Sequence, residues 1–120
     1  MTKRKILIVE DETMTAMALA SYLEDLGQEV LELPATGEEA VKMARAQGPD
    51  LVFMDVNLPG GMDGLEAAKA ISGMGKAAIV FITGYSNKSV VDRAAALSPA
   101  AYLVKPFDFS VIDGILDSLG

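Results

Sequence analysis

The chain contains neither cysteine nor histidine. Without cysteine it forms no disulfide, offers no thiolate nucleophile and builds no cysteine zinc site. Without histidine it has no imidazole base and cannot itself serve as a phosphohistidine donor. Any nucleophile must therefore be a carboxylate, a hydroxyl or an amine. Long apolar runs are also missing: the longest are about five residues, against the roughly 20 needed to span a bilayer. The basic start MTKRK leads into an apolar stretch too short for a signal peptide and then at once into acids. The expectation is a soluble cytoplasmic protein with no membrane partner. Positive charge is the scarcer sign. Ten Lys and Arg stand against 17 Asp and Glu, a net charge of −7 with no basic stripe, which argues against nucleic-acid binding.

What remains is ample for a core. Of the 120 residues 51% are hydrophobic, enough for one compact domain over 1–120 but not for two. Short apolar runs alternate with amphipathic stretches, the pattern of repeated βα units. The pattern predicts strands near 5–9, 29–33, 50–54, 78–82 and 101–104, and helices near 13–26, 37–47, 64–73, 87–97 and 109–118. In the first helix Met14, Met17, Ala18, Tyr22 (or Ser21) and Leu26 recur at roughly helical spacing before Gly27. The second opens after Thr36-Gly37 with Glu38 and Glu39 in its first turn and stops at Gly48-Pro49. KILIV, LVFM and AIVFI are almost wholly apolar, as inner strands of a parallel sheet are, whereas EVLEL alternates and reads as an edge. A doubly wound α/β sheet in the order 2-1-3-4-5 follows, with helices on both faces and its switch point between the first and third strands.

In such a sheet the carboxyl ends of neighbouring strands lie side by side, so polar residues that end different strands converge. Glu10-Asp11 follows KILIV, Asp55 follows LVFM, Thr83 follows AIVFI and Lys105 follows AYLV. Three acids, a hydroxyl and an ammonium at one edge describe a magnesium-dependent phosphoryl-accepting site. Asp55 is the candidate nucleophile, since a carboxylate can attack phosphorus to form an acyl phosphate. The loop Val56-Asn57-Leu58-Pro59-Gly60-Gly61 after it leaves it facing solvent; seen alone, it is as readily a turn-capping acid. Glu12 fits a helix start. Glu10 and Asp11 need more, because two like charges ~5 Å apart repel by about 3 kcal/mol at an effective dielectric near 20. A hard cation relieves that repulsion, and Mg2+ suits carboxylates, water and phosphate oxygens, with the Asn57 carbonyl as a further donor. Lys105 would balance the acids and pair with a phosphoryl oxygen, and Pro106 fixes the local geometry, with a cis peptide as one way of doing so. Thr83 would donate to the phosphoryl group, the alternative being a hydroxyl that bonds its own turn.

These residues, in the segments KILIVEDE, MDVNLPGGMDG, FITGY and YLVKPF, resemble the receiver domain of two-component response regulators over nearly the whole chain. The resemblance implies a flavodoxin-like (βα)5 fold. By position it implies that Glu10 and Asp11 are the acidic metal pair, Asp55 the phosphorylated aspartate and Asn57 the residue whose backbone carbonyl binds metal. It also makes Thr83 and Lys105 the switch hydroxyl and the invariant lysine, and Tyr102 the switch aromatic. Asn57 and Tyr85, two beyond the aspartate and two beyond the threonine, become the residues that flank the hydrolytic water. The implied partners are a histidine kinase or phosphotransfer protein upstream and a protein target on the face of the fourth helix, fifth strand and fifth helix. Such a domain promotes only its own phosphorylation and dephosphorylation and is not otherwise an enzyme. The Asp55–Gly64 loop is one residue longer than the commonest family pattern, with Gly60-Gly61 absorbing the difference. FITGY is similar to a run in small stand-alone bacterial regulators.

Two other readings compete. An aspartate-nucleophile phosphatase of the haloacid-dehalogenase type shares Asp, Thr, Lys and magnesium, but it wants a second aspartate two residues on, where Asn57 stands. A pseudo-receiver, an interaction module never phosphorylated, has no need of Asp11, Asp55, Thr83 and Lys105 together.

Overall fold

The computed structural model describes residues 2–84 and 88–120. Ten elements alternate along the described residues: β1 (Lys5–Val9), α1 (Thr13–Asp25), β2 (Glu29–Val30), α2 (Gly37–Gln47) and β3 (Leu51–Asp55), then α3 (Gly64–Ser72), β4 (Ala78–Thr83), α4 (Lys88–Ala95), β5 (Ala101–Val104) and α5 (Ser110–Ser118). The strands form one parallel sheet in the order β2-β1-β3-β4-β5, the flavodoxin-like arrangement expected from the sequence. Alternate side chains of each inner strand enter opposite cores, as the two-residue period of a strand requires. Leu7, Val52, Met54 and Phe81 pack with Ala40, Ala44, Ala67, Ile71 and Ala94 of α2, α3 and α4. Ile6, Ile8, Phe53 and Val80 pack with Leu19, Leu23, Ile112 and Leu116 of α1 and α5. Both cores lie beneath the sheet's carboxyl edge and hold its ends in place.

Several boundaries differ from the sequence reading. β2 is an edge strand as expected but runs only over Glu29–Val30, not 29–33. It has a single partner, β1, and after the Leu31 N–H reaches the Ile6 carbonyl the chain departs toward Pro34, which has no N–H to offer the ladder. β3 and β4 each run one residue further, so Asp55 and Thr83 are the last strand residues rather than the first loop residues. α4 ends at Ala95 rather than 97: Leu97 and Ser98 turn back on Ala94 and Ala95, and Ser98 takes a left-handed φ of 50° ahead of Pro99. Residue 87, the expected start of that helix, lies outside the described residues. The predicted apolar period of α1 faces outward only in part, since its Tyr22 and Leu26 pack against the core. Its buried side is Ala16, Leu19, Ala20 and Leu23, while Met14 and Met17 are 82% and 59% exposed.

Candidate functional site

β3 ends one residue beyond β1, and β4 one residue beyond β3. In register Val9 stands beside Met54, Asp55 beside Ile82 and Thr83 beside Val104. This stagger brings Glu10 and Asp11, just off the end of β1, to the height of Asp55 at the end of β3 and Thr83 at the end of β4, with Lys105 just past β5. Glu10, Asp11 and Asp55 each offer a carboxylate oxygen, all within 4.8 Å of one another. Lys105 reaches across from β5: its Nζ is 2.5 Å from Glu10 Oε1 and 3.0 Å from Asp55 Oδ2. The Lys105–Pro106 peptide is cis.

Asp55 does not face solvent as the sequence suggested; it is 4% exposed. The Lys105 side chain closes over it, and the Asn57 N–H donates to Asp55 Oδ1 at 2.9 Å from the other side. Glu10 is equally enclosed, with Asp11 exposed beside it. Burial is the largest influence on Glu10 and raises its pKa above the usual carboxylate value, reinforced by the neighbouring Asp55 and opposed by Lys105. Burial alone would lower Lys105, but its bonds to Glu10 and Asp55 outweigh that and hold the ammonium above the ordinary lysine value. The ammonium therefore stands as the counter-charge to two enclosed acids. Hard oxygen donors at this spacing, two of them buried, suit a divalent ion of the magnesium kind.

Thr83 is fully buried, and its carbonyl accepts from the Lys105 N–H at 2.8 Å, tying β4 to the lysine's backbone. Tyr102 lies on β5 opposite Phe81, ring centroids 6.4 Å apart and tilted by 53°, half-buried as a strand aromatic should be. Burial raises its hydroxyl pKa. Asn57 is exposed at the head of the loop. Tyr85 lies outside the described residues. Glu12 stands at the N-cap of α1, where its N–H donates to Glu10 Oε2 at 3.2 Å and its carboxylate accepts from the Thr15 hydroxyl.

The sequence reading missed two parts of the site. One is the Glu10–Lys105 pair, which unites residues 95 apart in sequence and leaves no local signal. The other is Gly64. Its N–H donates to the Val56 carbonyl at 2.9 Å, and any Cβ there would lie 1.9 Å from the Asp55 carbonyl oxygen. Only glycine lets α3 begin against the backbone of Asp55. A signal existed: Asp63 and Glu66 form a capping box that sets the helix start, and a glycine directly inside a capped start points to close approach.

The fold and site have known counterparts. The signal receiver domain of a modulated diguanylate cyclase from Desulfovibrio desulfuricans G20 is 33% identical with a TM-score of 0.90, over 98% of this chain and 93% of that one. The receiver domain of a sensor histidine kinase from Pseudomonas aeruginosa PAO1, solved with a magnesium ion coordinated in its active site cleft, is 28% identical with a TM-score of 0.84, over 98% and 97%. The transcriptional regulatory protein PdtaR of Mycobacterium tuberculosis is 43% identical over 107 residues, which are 89% of this chain and 52% of PdtaR, so the chain spans about half the length of that relative. The probable chemotaxis protein CheY of Rhizobium etli is 31% identical over 120 residues, 98% of this chain and 92% of the relative. The response regulator receiver domain model matches residues 6–117, and the chain belongs to that family.

Proposed function

We propose that the chain is a phosphoryl-accepting switch, modified on Asp55 by a histidine kinase or phosphotransfer protein in a magnesium-dependent reaction. The observation that carries this reading is the enclosed Glu10–Lys105–Asp55 cluster with Asp11 beside it. An electron pair on an Asp55 carboxylate oxygen forms the new O–P bond as the donor's P–N bond breaks, and the leaving nitrogen keeps that bond's pair. Lys105, already paired to Asp55, exchanges a carboxylate oxygen for a phosphoryl oxygen as charge moves outward. Thr83 donates its hydroxyl to the phosphoryl group from the neighbouring strand. Magnesium, held by Glu10, Asp11, Asp55 and the Asn57 carbonyl, would neutralise the acids and the phosphoryl oxygens. The magnesium ion described in the similar Pseudomonas receiver domain supports the same ion here.

The phosphoryl group adds up to about two negative charges beside Thr83 and Lys105. Movement of Thr83 toward it opens space for Tyr102 to turn, which biases a pre-existing equilibrium of α4, β5 and α5. Val91, Val104 and Val111, one on each element, are exposed and give that surface apolar ground for a downstream protein. Asn57 and Tyr85 offer no carboxylate to activate water, which favours a long-lived acyl phosphate. No helix among the described residues is long and apolar enough to cross a membrane, in keeping with work in the cytoplasm. Intact mass measured after incubation with acetyl phosphate and magnesium tests the reading. Wild type gains one phosphoryl group, and gains none when magnesium is chelated before the donor is added. A chain that never gains it is an interaction module instead.

A further inference from the structure

The loop between Asn57 and Asp63 crosses from β3 to α3 with few polar ties. Residues 58–62 make no hydrogen bond among the described residues. Packing holds them instead. Leu58 and Met62 are partly buried on the core of α2, α3 and α4. The first turn of α2 abuts the rest: a Cβ on Gly37 would lie 2.9 Å from the Met62 carbonyl oxygen, 3.2 Å from Met62 Cγ and 3.3 Å from Ala67 Cβ. The Glu38 carboxylate lies along the two loop glycines, 3.3 Å from where a Cβ on Gly60 would stand and 3.6 Å from one on Gly61. Nothing in the backbone of Gly37 calls for glycine, since its φ lies outside the left-handed region. As the first residue of α2 after the Thr36 cap, it gains nothing over alanine in helix propensity. The close contact with Met62 accounts for it.

We propose that Gly37 is a positioning residue for the metal-binding loop. Because it lacks a side chain, the first turn of α2 seats directly against the Met62 carbonyl. With Glu38 against Gly60 and Gly61, it fixes residues 58–62 and through them the Asn57 carbonyl. The inference rests on the magnesium reading of the site. An alanine at Gly37 meets backbone rather than the end of a flexible side chain, so the loop must move and the carbonyl with it.

The test is magnesium affinity of the full chain, measured by calorimetry alongside amide chemical shifts. Gly37→Ala is expected to bind magnesium about tenfold more weakly, the loss typical when support behind a metal ligand is removed, and to shift the Asn57 and Leu58 amides in the metal-free state. Gly114→Ala, a helical glycine with nothing within 4 Å of a new Cβ, is expected to bind as wild type does. Glu38→Gln keeps the side chain's shape and is expected to bind more tightly than Glu38→Ala. Wild-type affinity in Gly37→Ala overturns the proposal. Should Gly37→Ala fail to fold by circular dichroism, equal affinities of Glu38→Ala and Glu38→Gln overturn it. A wild-type chain that binds no magnesium overturns the underlying reading instead, so the two failures are distinct.

Discussion

Replacing Lys105 by methionine removes the site's only close counter-charge among the described residues while keeping an unbranched side chain one atom shorter. The ammonium sits 2.5 Å from Glu10 and 3.0 Å from Asp55, and both carboxylate side chains are at most 5% exposed. With the ammonium gone, acids whose oxygens lie within 4.8 Å of one another repel by about 3.5 kcal/mol at an effective dielectric near 20. Breaking a buried pair from one side commonly costs about 3–5 kcal/mol. Lys105 is itself 30% exposed, so water reaches the pair and the lower figure, about 3 kcal/mol, applies. Glu10 sets the pH dependence. Its folded pKa is raised above 4.5, so its favourable contribution is complete below 4.5 and is lost as pH rises through the folded value. Without Lys105 that folded value rises further, so the deficit opens as pH rises past the wild-type folded value and closes below it. Urea unfolding of wild type and Lys105→Met at about pH 5 and about pH 7.5, with chelator or with saturating magnesium, measures this. The expected deficit is largest at the higher pH without metal, and magnesium stabilises the variant more than wild type because it no longer competes with an ammonium. A deficit indifferent to both pH and magnesium would show that Lys105 does not balance the enclosed acids.

Other expectations concern the frame and the switch. Gly64→Ala is expected to cost about 2–4 kcal/mol in thermal unfolding, because the new methyl meets the Asp55 carbonyl; an unchanged midpoint would contradict that close approach. Asp50 accepts from the Lys5 N–H at 2.8 Å, which holds its pKa below the usual 3.8, so its contribution is present above 3.8 and lost as pH falls through the folded value. Its side chain is 40% exposed, so Asp50→Ala should lose only about 1 kcal/mol at neutral pH and unfold less steeply with acid. Beryllofluoride, a phosphoryl mimic, should shift amide resonances at Gly84 and along α4 and β5. Shifts confined to the Asp55–Gly64 loop would deny the switch.

The sheet was legible because each inner strand is an apolar run closed by a polar residue, and a parallel sheet turns that pattern into one functional edge. Five strands, their order and the convergence of Glu10, Asp11, Asp55 and Lys105 all follow from it. The outward face of α1 was not legible. Periodicity shows that a helix has an apolar side, but α1 has two, and only docking on β1 and α5 decides that Leu19 and Leu23 go inward while Met14 and Met17 stay out. The length of β2 was hidden because an edge strand ends where its single neighbour stops pairing. Asp55 was read as facing solvent because the cover over it, Lys105, comes from 50 residues away. Gly37 and Gly64 show the same limit: a glycine's role as a point of close approach depends on what a distant segment brings to it.

The most direct test is to find where the phosphoryl group resides. After acetyl phosphate and magnesium, borohydride reduces an aspartyl phosphate to homoserine, and peptide sequencing by mass reads its position. Homoserine is expected at position 55 in wild type, and in Asp55→Asn neither homoserine nor a gain in intact mass. Homoserine at another acid, or a phosphoryl group still taken up by Asp55→Asn at the wild-type rate, would contradict this expectation.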